Sequence, residues 1–149
     1  MNKIPRIRSA RALEPYRLRI VWSDGIEGEV DLRGYLEACG DVFAPVLEDA
    51  SQWPQMEEDE FGYHVGWGDD MEAPTTVLRR LYLEQIGEAM PPADFLAWRK
   101  RLGLTQKQAA SVLGVSLRML VYYEHGDKMI PKTVRLATVG AEQELARTA

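Results

Sequence analysis

The stretch that most restricts the fold is residues 104–126, LTQKQAASVLGVSLRMLVYYEHG. Counted from Gln106, its fourth, eighth, tenth, fifteenth and eighteenth places hold residues able to pack between two helices: Ala109, Leu113, Val115, Leu120 and Tyr123. The fifth place is the small Ala110, where two crossing helices would approach closely, and the ninth is Gly114, which tolerates a positive φ. This spacing predicts a helix-turn-helix.

Residues beside this stretch strengthen the prediction. Thr105 and Ser116 each have a side-chain oxygen that can accept a hydrogen bond from an unpaired N–H at a helix start. The segment PADFLAWRKRLG before them is amphipathic, and Pro131 is suited to begin a further helix after them. We therefore expect an all-α domain of four to five helices.

These residues also carry a family resemblance. Residues 93–146, through RKRLGLTQKQAASVLGVS and YYEHG, resemble the lambda-repressor-like, Cro/C1-type DNA-binding domain. The resemblance implies that the second helix of the motif is a recognition helix. It also implies a structural pair between Arg99 in the preceding helix and Glu124 at the end of the recognition helix, where a guanidinium can hold a carboxylate with two hydrogen bonds.

Charge is distributed unevenly along the chain. Residues 1–92 carry 9 Lys or Arg against 18 Asp or Glu, a net charge of −9, whereas residues 93–149 carry 9 against 5, a net charge of +4. Such an asymmetry indicates two modules, of which the basic one is suited to a polyanion. The acidity of the whole chain therefore does not exclude DNA as a partner.

The first half alternates as strands do. RIRSARAL is expected to form a first strand, and residues 16–22 place Tyr16, Leu18, Ile20 and Trp22 on one face. Asp24-Gly25 is suited to a tight turn, after which GEVDL returns as the second arm of a hairpin. Asp31 is then expected to cap a short helix, LRGYLEAC.

A second hairpin is expected in QMEEDEFGYHVGW, with its turn at residues 59–62, followed by a helix from Pro74. Its apolar stripe would contain Val77, Leu81 and Ile86. The double proline Pro91-Pro92 cannot continue a helix. The domains are therefore expected at residues 1–90 and 91–149.

This first half resembles the DUF2442 family, a small α+β domain of bacterial proteins. The residues that carry the resemblance lie at about 4–83 and include YRLRIVWSDGIEGEVDL, VFAPVLED and GYHVGWGDDMEAPTTVL. The family has no settled biochemical function, so the resemblance implies a fold and no activity. The fold class is expected to be α+β, with a small N-terminal antiparallel sheet and helices joined to the all-α domain.

With the second helix of the motif at residues 116–124, the side opposite the core would enter a major groove. Arg118 can donate two hydrogen bonds to guanine, while Leu117 and Val121 can meet a thymine methyl group. Gln106 and Lys107 at the start of the first helix are suited to phosphates, as are Lys128 and Lys132 in and after the loop that follows the second helix. The predicted DNA-binding residues are Gln106, Lys107, Ser116, Leu117, Arg118, Val121, Tyr122, Lys128 and Lys132.

The sequence offers few residues for a metal, cofactor or catalytic site. Cys39 is the single cysteine and His64 and His125 lie far apart, so we expect neither a metal site nor a cofactor. The acidic runs at residues 57–60 and 68–72 lack the motif of a known catalytic site, and we expect no enzyme activity. Trp67, Asp69 and Asp70 are a candidate for a small ligand or protein site.

No segment reaches the roughly 20 apolar residues of a membrane span, and the first residues lack the apolar centre of a secretion signal, so the cytoplasm is expected. The sequence predicts a DNA-binding transcriptional regulator with double-stranded DNA as partner. The resemblance to the Cro/C1-type domain implies a homodimer, through the last helix at 134–146 or the acidic domain. The alternative is an antitoxin-like or protein-interaction module that binds a partner protein through the acidic domain or an apolar helix face containing Leu117, Met119, Val121 and Tyr122.

Overall fold

A computed structural model describes residues 4–68 and 70–148 of the chain. It divides into two compact units, Met1–Tyr82 and Leu83–Ala149. The first unit combines antiparallel strands with short helices, and the second is mainly helical, which confirms the α+β class.

The first unit opens with a three-stranded antiparallel sheet. Its strands are β1 (Ile7–Ala12), β2 (Arg17–Trp22) and β3 (Glu27–Asp31). In the β2–β3 pair, Leu18 lies opposite Val30 and Ile20 opposite Gly28. Because alternate residues of a strand face the same side, Leu18, Ile20 and Trp22 are all completely buried. The predicted hairpin is confirmed.

The rest of this unit adds short helices and a second antiparallel sheet. Its elements are α1 (Arg33–Ala38), α2 (Ala44–Glu48), β4 (Glu57–Glu58), β5 (His64–Gly66), β6 (Glu72–Pro74) and α3 (Thr75–Gln85). The predicted second hairpin corresponds to β4 and β5, and β6 pairs with β5 as well. The N-cap residue of α1 is Leu32 rather than the predicted Asp31. The Asp31 carboxylate nevertheless accepts a hydrogen bond from the Arg33 N–H.

The core of the first unit combines aliphatic residues with three buried tryptophans, Trp22, Trp53 and Trp67. Trp53 stacks on Trp67 with ring centroids 4.8 Å apart. Each buried indole N–H donates to an oxygen of the unit: Trp22 to Thr75 Oγ1, Trp53 to the Arg17 carbonyl and Trp67 to the Trp53 carbonyl. Burial therefore leaves these polar groups satisfied, as a stable core requires.

The predicted stripe on α3 is partly wrong. Leu78, which the stripe omitted, is the fully buried residue of the helix, whereas Ile86 is 51% exposed. The reason is that α3 ends at Gln85, so the helical repeat does not extend to Ile86.

The second unit contains four helices and a two-stranded pairing within its described residues. These are β7 (Ala89–Met90), α4 (Pro92–Arg101), α5 (Gln106–Leu113), α6 (Leu117–His125), β8 (Ile130–Pro131) and α7 (Lys132–Thr148). The helices enclose one buried cluster, formed by Phe95, Trp98, Ala109, Ala110, Leu120, Tyr123, Ile130 and Val134.

This unit begins at Leu83, before the boundary expected at residues 90 and 91. The reason is that β7 pairs with β8, so Ala89 and Met90 lie in the second unit. Ala89 and Ile130 are each 1% exposed. Since Pro131 belongs to β8, the last helix begins at Lys132 rather than at Pro131.

Candidate nucleic-acid interface

The helix-turn-helix is built by α5 and α6, and both helix starts are capped. The Thr105 hydroxyl accepts a hydrogen bond from the Gln108 N–H at 3.1 Å, and the Gln108 side chain accepts one from the Thr105 N–H at 2.9 Å. The Ser116 hydroxyl accepts from the Met119 N–H at 3.1 Å. Between the helices, Gly114 has φ of 73°, a conformation that costs glycine little. The turn therefore has the residues that its geometry requires.

Arg99 and Glu124 form the pair that the resemblance implied. Arg99 Nε and Nη2 donate to the two carboxylate oxygens of Glu124 at 2.6 Å and 3.1 Å. Arg99 Nη1 also donates to the Leu104 carbonyl at 3.0 Å, and Gln106 Nε2 donates to Glu124 Oε1 at 3.2 Å. The cluster therefore joins α4, the start of α5 and the end of α6, and fixes the angle at which α6 is presented.

The environment of Glu124 keeps its carboxylate charged. Its side chain is only 5% exposed, and burial by itself would raise the pKa. The hydrogen bonds from Arg99 and Gln106 together outweigh that effect and hold the pKa of Glu124 below its ordinary value. Glu124 therefore remains a carboxylate throughout the neutral pH range.

The outer surface of α6 contains both polar and apolar residues. Leu117 is 46% exposed and Arg118 is exposed, whereas Val121 and Tyr122 are half-buried. Met119 packs against the core cluster of the unit. The first turn of α6 therefore presents Leu117 and Arg118 most fully.

Arg118, Tyr122 and Lys128 lie together. Arg118 Nε donates to the Tyr122 hydroxyl at 2.7 Å, and the guanidinium carbon lies 5.4 Å from the centre of the tyrosine ring. Lys128, in the loop after α6, places its Nζ 5.8 Å from the same ring centre. Two cations, Arg118 and Lys128, thus lie within about 6 Å of the centre of one aromatic ring.

The residues predicted to bind phosphates are in three different situations. Lys107 is exposed in the first turn of α5. Gln106 donates one amide hydrogen to Glu124, which leaves its second for another acceptor. Lys132 lies 3.4 Å from Glu88 Oε1, with both side chains 49% exposed. Because such exposed pairs contribute at most about 1 kcal/mol, a phosphate could displace Glu88.

One further ion pair was not predicted from the sequence. Arg101 in α4 donates two hydrogen bonds to the carboxylate of Glu142 in α7, at 3.1 Å and 2.9 Å. The two residues are far apart in the chain and neither belongs to a motif, so no spacing rule connects them. The pair is more exposed than Arg99–Glu124, with side chains 56% and 41% accessible.

The other candidate sites are weaker. His64 Nε2 lies 3.5 Å from Asp59 Oδ1, but no group of His, Cys, Asp and Glu within residues 4–68 and 70–148 has the arrangement of a metal site. Asp69, placed in a candidate ligand site with Trp67 and Asp70, lies outside the described residues. Among the helices that the structure describes, none combines the length and hydrophobicity needed to cross a membrane.

Comparison with known proteins agrees with the two resemblances. The family described as a protein of unknown function, DUF2442, matches residues 7–81, and the family described as Helix-turn-helix matches residues 96–137. A crystal structure of a candidate DNA-binding protein from Nitrosomonas europaea ATCC 19718 is 36% identical, covers 95% of this chain and 90% of that chain, and has a TM-score of 0.49. No curated protein matches the chain.

Proposed function

The chain belongs to the DUF2442 family through its first unit and continues into a matched helix-turn-helix, and from this premise we propose that it is a sequence-specific DNA-binding protein. It acts as a bacterial transcriptional regulator in the cytoplasm and places α6 in the major groove of double-stranded DNA. It is not an enzyme.

The observation that carries this proposal is the fixed presentation of α6. Its start is capped by Ser116 and its end is held by the Arg99–Glu124 pair, so the exposed first turn has a defined orientation. That turn carries Arg118, which can donate two hydrogen bonds to guanine O6 and N7. Lys107 and Lys128 supply exposed positive charge for phosphates.

A dimer follows from the small size of the reading surface. One helix-turn-helix reads only a few base pairs, and two copies would meet half-sites about one helical turn, roughly 34 Å, apart. Three residues of α7 have large exposed apolar side chains: Leu136 at 52%, Val139 at 48% and Leu145 at 37%. Leu136 and Val139 are three residues apart and so are neighbours on the helix surface, which supports this part of α7 as the surface through which two copies associate.

Arg118→Ala tests the assignment of the reading residue. Selection from duplexes with a randomised centre, at moderate salt, is expected to enrich a palindrome with a guanine in each half-site. Arg118→Ala should weaken binding to that palindrome by about 1 to 3 kcal/mol per half-site and change binding to unrelated duplexes much less, because each lost contact is to a base. Titration of fluorescent duplexes measures both affinities.

Lys107→Ala is the matched control for the loss of one positive charge. It should weaken binding to the palindrome and to unrelated duplexes by similar factors, and reduce the slope of log affinity against log salt by about 1. If the unaltered chain enriches no sequence, the proposed function is wrong.

A second candidate function is a protein-interaction or antitoxin-like module. One form of this hypothesis uses the apolar face of α6 to bind a partner. Met119 is not available to that face, because it packs against the core cluster. In its other form, the acidic first unit binds the partner, and one observation favours this: Phe61 is 61% exposed and Tyr63, two residues later, is 43% exposed. Exposed aromatic clusters are common in protein-binding surfaces.

Phe61→Ser in the full chain tests this second candidate. If the first unit binds a protein, a partner captured by the unaltered chain should be lost from the variant, because the largest exposed apolar side chain of the hairpin is removed. Capture followed by mass spectrometry compares the two chains. Equal recovery of every captured protein would exclude this surface.

A further inference from the structure

Tyr122 is half-buried and contacts Arg118, the residue proposed to read a guanine. It lies one helical turn after Arg118 in α6, the spacing at which helix side chains meet. The tyrosine hydroxyl accepts the Arg118 Nε–H at 2.7 Å. This contact uses the donor of the guanidinium that is nearest the helix.

The remaining donors of Arg118 determine what it can recognise. A guanidinium has five N–H groups in one plane, so binding at Nε leaves the four that belong to Nη1 and Nη2. These two nitrogens form the outer end of the side chain and match the paired acceptors O6 and N7 of guanine. Held by Tyr122, Arg118 is arranged for an end-on contact with that base.

Lys128, in the loop after α6, lies near the same tyrosine ring. Its ammonium lies 5.8 Å from the centre of the Tyr122 ring, and the Arg118 guanidinium lies 5.4 Å from it. A cation near an aromatic face is attracted by the ring, so the tyrosine gathers two positive groups at one place. Lys128 has a single compact charge suited to a phosphate, while Arg118 has the planar donors suited to a base.

On the basis of the proposed function, we infer that Tyr122 is a positioning residue that sets a preference for guanine by holding the Nε of Arg118. Its hydroxyl does not itself read the DNA. A long arginine side chain loses rotamer freedom when it binds, and a partner that orders it beforehand reduces that loss. The gain is confined to the base that Arg118 contacts.

Tyr122→Phe is the decisive variant, because it keeps the ring and its contacts and removes only the hydroxyl. Full-length protein and a pool of duplexes with a randomised centre are used, and the ratio of guanine to the other bases is measured at each position. We expect the ratio to fall about twofold to tenfold at the Arg118-dependent position, the range of one net hydrogen bond. The salt dependence of binding should not change, since no charge is removed.

The double variant Arg118→Ala/Tyr122→Phe separates positioning from direct reading. If Tyr122 acts through Arg118, the phenylalanine substitution should have no further effect on base preference once the arginine is absent. An additional loss of the same size in the alanine background would show that the hydroxyl contacts DNA directly, and would overturn the inference. A guanine preference left unchanged by Tyr122→Phe alone would overturn it as well.

Tyr82→Phe is the matched control. In the first unit, the Tyr82 hydroxyl donates to the Glu27 carbonyl at 3.3 Å, and no binding role is assigned to it. Removal of this hydroxyl should leave the selected sequence unaltered. If the unaltered chain selects no sequence, the proposed function and this inference both fail, whereas a selected palindrome unaffected by Tyr122→Phe overturns the inference alone.

Discussion

Replacement of Arg99 by methionine is expected to destabilise the second unit by about 3 kcal/mol, the lower end of the range for a buried ion pair that loses one partner. The substitution preserves much of the side-chain length but leaves the Glu124 carboxylate, 5% exposed, without its main donor. The Leu104 carbonyl loses a hydrogen bond as well. The loss is large because a buried charge is left uncompensated, rather than because the intact pair is itself strongly stabilising.

Arg101→Met is the control for this prediction. It removes the same side chain from the same helix and breaks a similar double hydrogen bond, to Glu142. Both members of that pair are exposed to solvent, which screens their attraction, so the expected loss of stability is much smaller than for Arg99→Met. Hydrogen exchange of the amides at residues 92–148 in increasing urea measures both variants, and equal losses would contradict the assigned role of burial.

Acid should reduce the difference between the Arg99→Met variant and the unaltered chain. In the unaltered chain, the pKa of Glu124 is lowered, so the stabilisation by its charge is present above its ordinary value of 4.5 and is lost as the pH falls through the lowered pKa. In the variant, burial without Arg99 favours the protonated carboxyl. The difference in the free energy of unfolding should therefore be greatest near neutral pH and decrease below pH 4.5.

Gly62→Ala is expected to destabilise the first unit by about 3 kcal/mol, from backbone strain and overpacking together. Gly62 has φ of 79°, and an added Cβ would lie 2.5 Å from the carbonyl oxygen of Ile7 and 3.0 Å from its nitrogen. These are backbone atoms of β1 and cannot move aside as a side chain would. The Ile7 N–H donates to the Gly62 carbonyl at 2.8 Å, and this hydrogen bond would be displaced.

Gly25→Ala separates the two contributions to that loss. Gly25 has φ of 89° but no atom within 4 Å of its added Cβ, so it carries the backbone strain without the collision. We expect a loss of about 1 kcal/mol there. Hydrogen exchange of the amides of β1, β2 and β5 reports on both variants, and an equal effect at the two glycines would show that the contact with Ile7 is unimportant.

The helix-turn-helix could be predicted closely because its determinants are local. Thr105, Ser116 and Gly114 act on backbone groups within a few residues, so their roles can be recognised in the sequence. The Arg99–Glu124 pair joins distant residues and came instead from the family resemblance. Arg101–Glu142, which no family motif includes, was not predicted although its geometry is similar.

Prediction was less successful where tertiary contacts decide the structure. Strand β6 contains only three residues, and pairing with β5 rather than any residue pattern defines it. The boundary expected at the double proline missed the second unit's first strand for the same reason. Pro91-Pro92 does prevent a helix from continuing, but it does not prevent the preceding residues from pairing with a distant strand.

The DNA-binding roles of individual residues were assigned from residue type and helix position, and they stay predictions. Residue type made Arg118 a reader, Lys132 a phosphate contact and Tyr122 a further contact. The structure adds that Lys132 lies beside Glu88 and that Tyr122 holds Arg118. The i,i+4 spacing of Arg118 and Tyr122 permits their contact, whereas spacing does not indicate the contact between Lys132 and Glu88, which are 44 residues apart.

The pairing of β7 with β8 bears on the order in which the second unit folds. Its two strands are about 40 residues apart in the chain, whereas each turn between α4, α5 and α6 closes over a few residues. Since the entropic cost of closure grows with loop length, local helical contacts form readily and distant ones wait for them. The three helices should therefore assemble first. The pairing of β7 with β8, which includes Ile130, should form last and complete the unit.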